Sequence, residues 1–285
     1  MSNLEISRAE RLDQHVIKML PELTRSYAAK LIEQGKVTVN GMPQIKAGYK
    51  LRPADDIKID HDASNLPAIP DIDLSVVFED DDCVVINKPV GLLSHSKGAY
   101  NPEPTVESWL KSRIKGISGD RAGIVHRLDR ATSGVMIAAK TPQSLLWLQN
   151  QFSQRKVNKT YLAVVDGELK QTEALIDMPI ERNPKRPQTF RVGSNGKSAL
   201  TAYKVIQVGN GRSLIELKPE TGRTHQLRVH LTQIGHPILG DAFYGGKPAD
   251  RLFLHAKQLE ITIPSKERKI FDVPVPVEFS KAMKP

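Results

Sequence analysis

One cysteine, Cys83, stands alone in 285 residues. That excludes a disulfide framework and a cysteine-rich zinc module, and the chain is expected in the reducing cytoplasm. No apolar run approaches the roughly 18 residues that span a bilayer. The amino terminus, MSNLEISRAERLDQ, is charged and has no signal-peptide core, so no membrane partner is expected. Aromatic residues make up only 5%, so each exposed ring is worth placing. Several chemical signatures are missing as well. There is no GxxxxGK(S/T) and no strand-linked GxGxxG, which leaves a nucleotide cofactor unsupported. There is no GxSxG elbow, and Ser133, in a TSG run, is expected in a turn. His225 and His230 are five apart with no HExxH and no carboxylate cluster beside them, so no metal site is expected.

What is present suits a globular protein of about two domains. Hydrophobic residues are 39% and charged residues 26%, enough apolar material for a sizeable core. The net charge of +9 is unevenly placed. Residues 61–100 carry 2 basic and 7 acidic side chains, whereas residues 101–285 carry 29 and 17. A basic field over the larger part of the chain favours a polyanion, most simply nucleic acid.

Periodicity divides the chain. Residues 7–20 read as a helix with Leu12, Val16 and Leu20 on one face. A second helix starts at Thr24, a suitable N-cap, and stops at Gly35. Asn40-Gly41 between short β-type runs signals a hairpin, and Leu51 to Asp60 reads as a last strand. Residues 1–60 thus form a small α/β unit, and residues 61–73 a proline-bearing linker. From residue 74 to 285 strands dominate. SVVF and CVVI flank an acidic turn at Asp80 to Asp82, and Val106 to Ile114 gives a helix. VMIAA is a buried strand, and Thr141-Pro142 opens a helix carrying Leu145, Leu148 and Phe152. Residues 181–198 are polar and basic and read as an exposed loop. THQLRVHLTQIG is a helix with Leu227, Leu231 and Ile234 on one face. The class expected is α+β, with a mixed, mainly antiparallel sheet.

Two segments concentrate chemistry. In His126-Arg127-Leu128-Asp129-Arg130 one carboxylate lies between two arginines, just before a buried strand. A close arginine keeps a carboxylate ionised, which suits a nucleophile or an electrostatic stabiliser. A salt-bridged turn is the bland alternative, and the segment His126 to Gly134 alone favours it. In Lys218 to His230, Arg223 is placed at a helix start and Arg228 in its second turn, where arginines and the helix dipole attract anions.

These residues carry a resemblance. HRLDRATSG resembles the hallmark motif of the RluA family of RNA pseudouridine synthases. INKPVGLLSH at 86–95, NKTYLAVVDG at 158–167, PETGRTHQLRVHLTQIGHPILGD at 219–241 and LFLHAKQLEITIP resemble further family blocks, in the same order. RLDQHVIKML and TRSYAAKLIEQGKVTVNG resemble the RNA-binding domain of ribosomal protein S4, over about residues 8–58. That module often precedes this catalytic domain in enzymes acting on large-subunit ribosomal RNA.

The resemblance implies a reaction that detaches uracil from C1′ of a uridine, turns it and rejoins it through C5. Nothing is consumed, so no cofactor is implied. Asp129 would be the essential carboxylate, acting on sugar or base. Tyr161 would stack on the target base, which has lost its neighbours on flipping. Arg228 would pair with Asp129, and Arg127 would fill the gap left by the extruded base. His126, Arg223, Arg182 and Arg186, with Arg25 and Lys30 of the N-terminal module, would contact RNA, and Lys185 and Arg191 extend that basic segment. A monomer acting on ribosomal RNA is expected. Transfer RNA as substrate, or a non-enzymatic ribosome-assembly factor, are the alternatives.

Overall fold

The computed structural model describes residues 6, 9–62, 68–96, 102–117, 121 and 123–284. The chain divides into two compact units. The first takes Met1–Ile72, His95–Lys111 and Ser118–Ala122, and the second takes Asp73–Ser94, Ser112–Ile117 and Gly123–Pro285. Two short segments inside the expected 74–285 span therefore group with the first unit.

In the first unit, α1 (Leu12–Met19) and α2 (Arg25–Glu33) precede a three-stranded antiparallel sheet. Its strands are β1 (Val37–Val39), β2 (Met42–Pro43) and β3 (Ile57–Ile59), with β1 central. Asn40 and Gly41 both take positive φ, 52° and 80°, as their hairpin requires. Thr24 caps α2, its hydroxyl accepting from Tyr27 N–H at 3.1 Å. The first helix starts later than periodicity suggests. Leu12 N–H donates to Tyr49 O and Leu51 N–H donates to Glu10 O, both at 2.8 Å. Glu10 and Arg11 are thus paired with a distant segment, and the helix can begin only at Leu12. Leu12, Val16, Ala28, Leu31, Ile32 and Val37 form the buried core. The short α3 (Val106–Leu110) carries a capping box between Thr105 and Ser108, and ends before Ile114.

The second unit is built on a nine-stranded sheet. β4 (Ser75–Glu79) and β5 (Cys83–Lys88) form the expected hairpin, whose turn is closed by Asp80 accepting from Asp82 and Cys83 N–H. β6 (Ser133–Ala139) is wholly buried. α4 (Pro142–Ser153) follows, capped by Thr141 as predicted. Then come β7 (Asn158–Asp166) and β8 (Glu173–Asp177). β9 (Ile180–Arg182) and β10 (Phe190–Val192) form a separate antiparallel ribbon. β11 (Leu200–Gly209) and β12 (Arg212–Pro219) lead to α5 (Gln226–Gln233). β13 (Leu254–Thr262), β14 (Arg268–Asp272) and α6 (Val277–Ala282) complete the chain. The main strand order is β4-β5-β6-β13-β7-β12-β11-β8, with β14 paired to β13. Only β13 with β6 is parallel, so the sheet is mixed and mostly antiparallel.

Three expectations need correction. Residues 181–198 are not simply a loop, because Phe190, Arg191 and Val192 pair with Arg182, Glu181 and Ile180. Ile180 is buried and packs with Ala199 and Val229, an apolar anchor hidden among charges. Ser133 is not in a turn but opens β6, buried, with its hydroxyl 2.8 Å from His255 Nδ1. The helix expected from Thr224 begins at Gln226, because His225 is left-handed (φ 56°) and ends the approach to it. Arg223 therefore precedes α5, and Arg228 lies in its first turn.

Gly134 has φ 122°, and a Cβ there would stand 2.2 Å from Ala256 O of β13. Only glycine lets β6 and β13 approach this closely. Gly134→Ala is expected to destabilise the protein by about 3 kcal/mol or more. Thermal unfolding should register this as a loss of roughly 10 °C in Tm.

Candidate active site

The reactive-looking carboxylate sits on a loop fastened from both sides. Thr132 N–H donates to Asp129 O at 3.0 Å, closing a turn that feeds directly into β6. Leu128 is buried, and Ser94 Oγ accepts from its N–H at 3.2 Å and donates to its carbonyl at 2.7 Å. Gly91 N–H donates to Arg130 O at 2.8 Å. Beneath the loop lies Lys88, whose side chain is fully buried. Its ammonium donates to Pro89 O (2.9 Å), Leu92 O (2.8 Å) and Arg130 O (3.4 Å). Three carbonyls from two loops thus converge on one cation.

Burial pushes the Lys88 pKa down to about 7, although Asp129 opposes the shift. Unfolded, the same group titrates near ~10.4. Between those values the unfolded chain holds more protons, so this lysine's contribution to stability rises with pH across that window. Below pH 7 its penalty is constant. The wild-type urea midpoint, compared with that of Lys88→Met, is therefore expected to climb between pH 7 and pH 9. The slope should be at most about 1.4 kcal/mol per pH unit.

Arg228 supplies the opposing charge. It is buried, and its guanidinium holds Asp241 through two parallel bonds of 2.7 Å each. Burial works most strongly against the charge, but the Asp241 hydrogen bonds together with the Asp241 and Asp129 charges outweigh it, so the pKa is raised. Its third nitrogen, Nη1, is 3.5 Å from Asp129 Oδ2. The tight partner of Arg228 is thus Asp241, with Asp129 at a looser distance than simple pairing suggests. The rings of Tyr244 and Phe243 lie 5.0 and 5.5 Å from the guanidinium carbon.

His225 approaches Asp129 from another side, its Nε2 3.6 Å from Oδ2. Its left-handed backbone costs about 1–3 kcal/mol, a strain that occurs at functional positions. Nδ1 is 2.8 Å from the Tyr244 hydroxyl, which already accepts from Phe190 N–H at 2.9 Å. That hydroxyl has its own proton to place. Given to Nδ1, it leaves the imidazole proton on Nε2, facing Asp129. Burial lowers the His225 pKa despite the nearby Asp129 charge, so the ring is neutral at neutral pH.

Asp129, Arg228 and His225 line a cavity of about 170 Å³ together with Arg127, Lys159, Tyr161 and Arg223. The sheet explains the convergence. Tyr161 near the start of β7 pairs with Leu217 near the end of β12, and the chain then turns through residues 219–225 into α5. Leu227 and Leu231 of α5 pack into the core beside Ala163, Ile215 and Leu217. Each such buried leucine contributes about 1.5–3 kcal/mol. That apolar face fixes the helix rotation that aims Arg228 at the cavity. Burial and the Asp129 charge raise the Tyr161 pKa, so its phenol stays protonated. Burial lowers the pKa of Lys159.

Residues 82–233 match the RNA pseudouridylate synthase family, and residues 10–57 match the S4 domain. An uncharacterized RNA pseudouridine synthase of Aquifex aeolicus is 39% identical over 252 residues, covering 84% of this chain and 78% of that protein. Ribosomal large subunit pseudouridine synthase D of Nitrosomonas europaea is 37% identical, covering 93% of this chain and 81% of its own. The structure of human RNA Pseudouridylate Synthase Domain Containing 1 superposes with a TM-score of 0.60 at 31% identity. It covers 71% of this chain and 83% of the human one. The chain belongs to the RNA pseudouridine synthase family.

Other residues predicted for this pseudouridine synthase lie elsewhere. His126 does not line the cavity. Its ring stacks on Phe152 at 4.6 Å between centroids, and Nε2 accepts from Ile137 N–H at 3.1 Å. Burial pushes its pKa down to about 3, so it is a neutral acceptor bracing the loop. Arg182 and Arg186 belong to the β9–β10 ribbon and its connection. Arg182 lies 5.2 Å from the Phe190 ring centre and donates to Pro187 O at 2.7 Å. Arg191 pairs with Glu181. Arg25 and Lys30 are exposed on α2 of the first unit, and Arg25 is bonded to Asp13 at 2.9 Å. Sequence reasoning missed Asp241, His225 as a neighbour of Asp129, Tyr244 and Lys88. Lys88, His225 and Asp241 stood inside quoted blocks, but only burial and distance reveal their positions. Among the described residues no helix is long and apolar enough to cross a membrane.

Proposed function

We propose that this enzyme isomerises uridines of large-subunit ribosomal RNA and that Asp129 is its essential carboxylate. One observation carries the chemical part. Asp129 reaches a base-sized cavity that also holds Tyr161, with Arg228 Nη1 and His225 Nε2 3.5 and 3.6 Å from one carboxylate oxygen. In the reaction the N1–C1′ bond breaks and a C5–C1′ bond forms. C5 loses a proton and N1 gains one, so nothing is consumed. Asp129 acts on the sugar or the base at the cleavage step. Arg228 and His225 hold its reactive oxygen in place. Tyr161 stacks on the turned uracil, a role that suits a protonated phenol and replaces lost base stacking. Arg127, at the cavity wall, fills the space that the uridine leaves.

The target rests on the Nitrosomonas europaea relative, named for the ribosomal large subunit, and on the S4 match. Residues 1–60 are the RNA-binding unit, 61–73 a linker and 74–285 the catalytic unit. Arg25, Lys30, Arg182, Arg186 and Arg223 contact the RNA, and those of their contacts that reach phosphates weaken steeply with salt. A lone buried cysteine suits the cytoplasm.

The test is to incubate the purified enzyme with unmodified large-subunit rRNA and, separately, with bulk transfer RNA. Pseudouridine is then mapped by mass spectrometry. New pseudouridine at defined positions of the rRNA is the expected result. Product in transfer RNA alone would overturn the target and keep the chemistry.

A further inference from the structure

A second groove, of about 390 Å³, opens beside the Asp129 cavity. Its walls include Arg182 and Phe190 of the ribbon, Asn195 and Lys197 of the following turn, and Gly222 and Arg223. The two spaces share Gly222, Arg223 and Thr224 as a common wall. The smaller space suits one base. The larger falls within the range of about 300–1,000 Å³ usual for small-molecule sites. A flipped uridine remains covalently joined to its neighbours, so a strand entering the first space must run along the wall of the second.

The chemistry of the groove suits a nucleotide. The Arg182 guanidinium lies over the Phe190 ring at 5.2 Å and donates to Pro187 O at 2.7 Å, contacts that keep it at the groove wall. Bases freed from a helix stack on such guanidinium planes and on aromatic rings. Lys197 and Arg223 supply cations for a phosphate, and Arg223 is steadied by donating to Ser198 O at 3.0 Å. The one acid in the wall, Glu181, already faces Arg191 at 2.7 Å, so its charge does not oppose an anion. The Asn195 amide offers both a donor and acceptors for a base edge. The ribbon is anchored where it is needed, since Ile180 packs on Val229 of α5. The Phe190 backbone N–H also fixes the Tyr244 hydroxyl that orients His225.

We propose that this groove holds the nucleotide adjacent to the target uridine in the same RNA strand, its base stacked on Arg182 and its phosphate on Lys197 and Arg223. The inference rests on the RNA pseudouridine synthase reading and adds to it a subsite that selects sequence context.

The test uses the full-length enzyme and a short RNA made from a mapped target. Two further RNAs lack only the base of the 5′ or of the 3′ neighbour. Pseudouridine formation is measured for wild type, Arg182→Ala and Arg182→Lys. On intact RNA, Arg182→Ala is expected to lower kcat/KM about 10-fold, through KM, as loss of one stacked base does. Removing the base on one flank should cost wild type the same factor and cost Arg182→Ala nothing more. Arg182→Lys keeps the charge and loses the plane, so it should behave as Arg182→Ala. Equal losses for Arg182→Ala on all three RNAs, or a lysine variant that behaves as wild type, would overturn the stacking subsite. Wild type inactive on every RNA would instead overturn the functional reading itself. Circular dichroism of both variants checks that the fold is kept.

Discussion

Asp129→Asn is expected to lower pseudouridine formation by at least about 10⁴-fold, while thermal stability and RNA binding stay near wild type. The geometry explains both halves. The carboxylate is part exposed and faces the cavity, and its contacts to Arg228 and His225 are long, at 3.5 and 3.6 Å. Losing one such charge costs stability no more than about 1 kcal/mol. Arg228 keeps Asp241, so no buried charge is left alone. The turn itself depends on the Asp129 backbone carbonyl, which asparagine retains. Chemistry, by contrast, loses the only carboxylate among the described residues that line the cavity. The measurement is single-turnover pseudouridine release on a mapped RNA, beside a filter-binding curve. Retained turnover would remove Asp129 from the reaction.

Asp241→Ala should do the reverse damage. Asp241 is fully shielded from solvent and binds Arg228 through both oxygens, and it also accepts from Phe243 N–H at 3.1 Å. Removing one partner of a buried pair leaves the other charge uncompensated, at a cost of about 3–5 kcal/mol. Tm should fall by roughly 10 °C or more. Activity should fall with it, because a guanidinium without its anchor turns toward Asp129. The double variant Arg228→Met/Asp241→Leu separates the two effects. It should recover much of the stability, since apolar replacements of buried pairs are tolerated. It should recover none of the activity. A double variant with normal turnover would show that Arg228 serves packing alone.

The parts of this enzyme that were legible in its sequence were those with local causes. Thr24 and Thr141 cap helices because their hydroxyls reach N–H groups three residues on. Asn40-Gly41 turns because both residues accept positive φ. The family blocks singled out Asp129, Tyr161 and Arg228, and all three line one cavity. Hidden features had distant causes. Asp241 closes the block quoted at 219–241, thirteen residues beyond Arg228, but no local spacing announces their bond. The β9–β10 ribbon pairs residues eight to twelve apart across a charged connection, and its single buried Ile180 is a weak signal. His126 reads as a basic contact, yet burial makes it a neutral brace.

The position of β13 between β6 and β7 governs the order in which this protein can be assembled. β6 ends at Ala139 and β7 begins at Asn158, close in the chain, yet they are not neighbours in the sheet. The strand that separates them starts at Leu254. Asp129 and Tyr161 therefore reach their final spacing only after almost the whole chain has left the ribosome. Such long-range pairing slows folding. Until it happens, β6 and β7 each present an open edge, the kind of surface that recruits other chains. A nascent chain stopped before residue 254 should thus be inactive and prone to aggregate, and the catalytic loop gains its geometry from the last strands made.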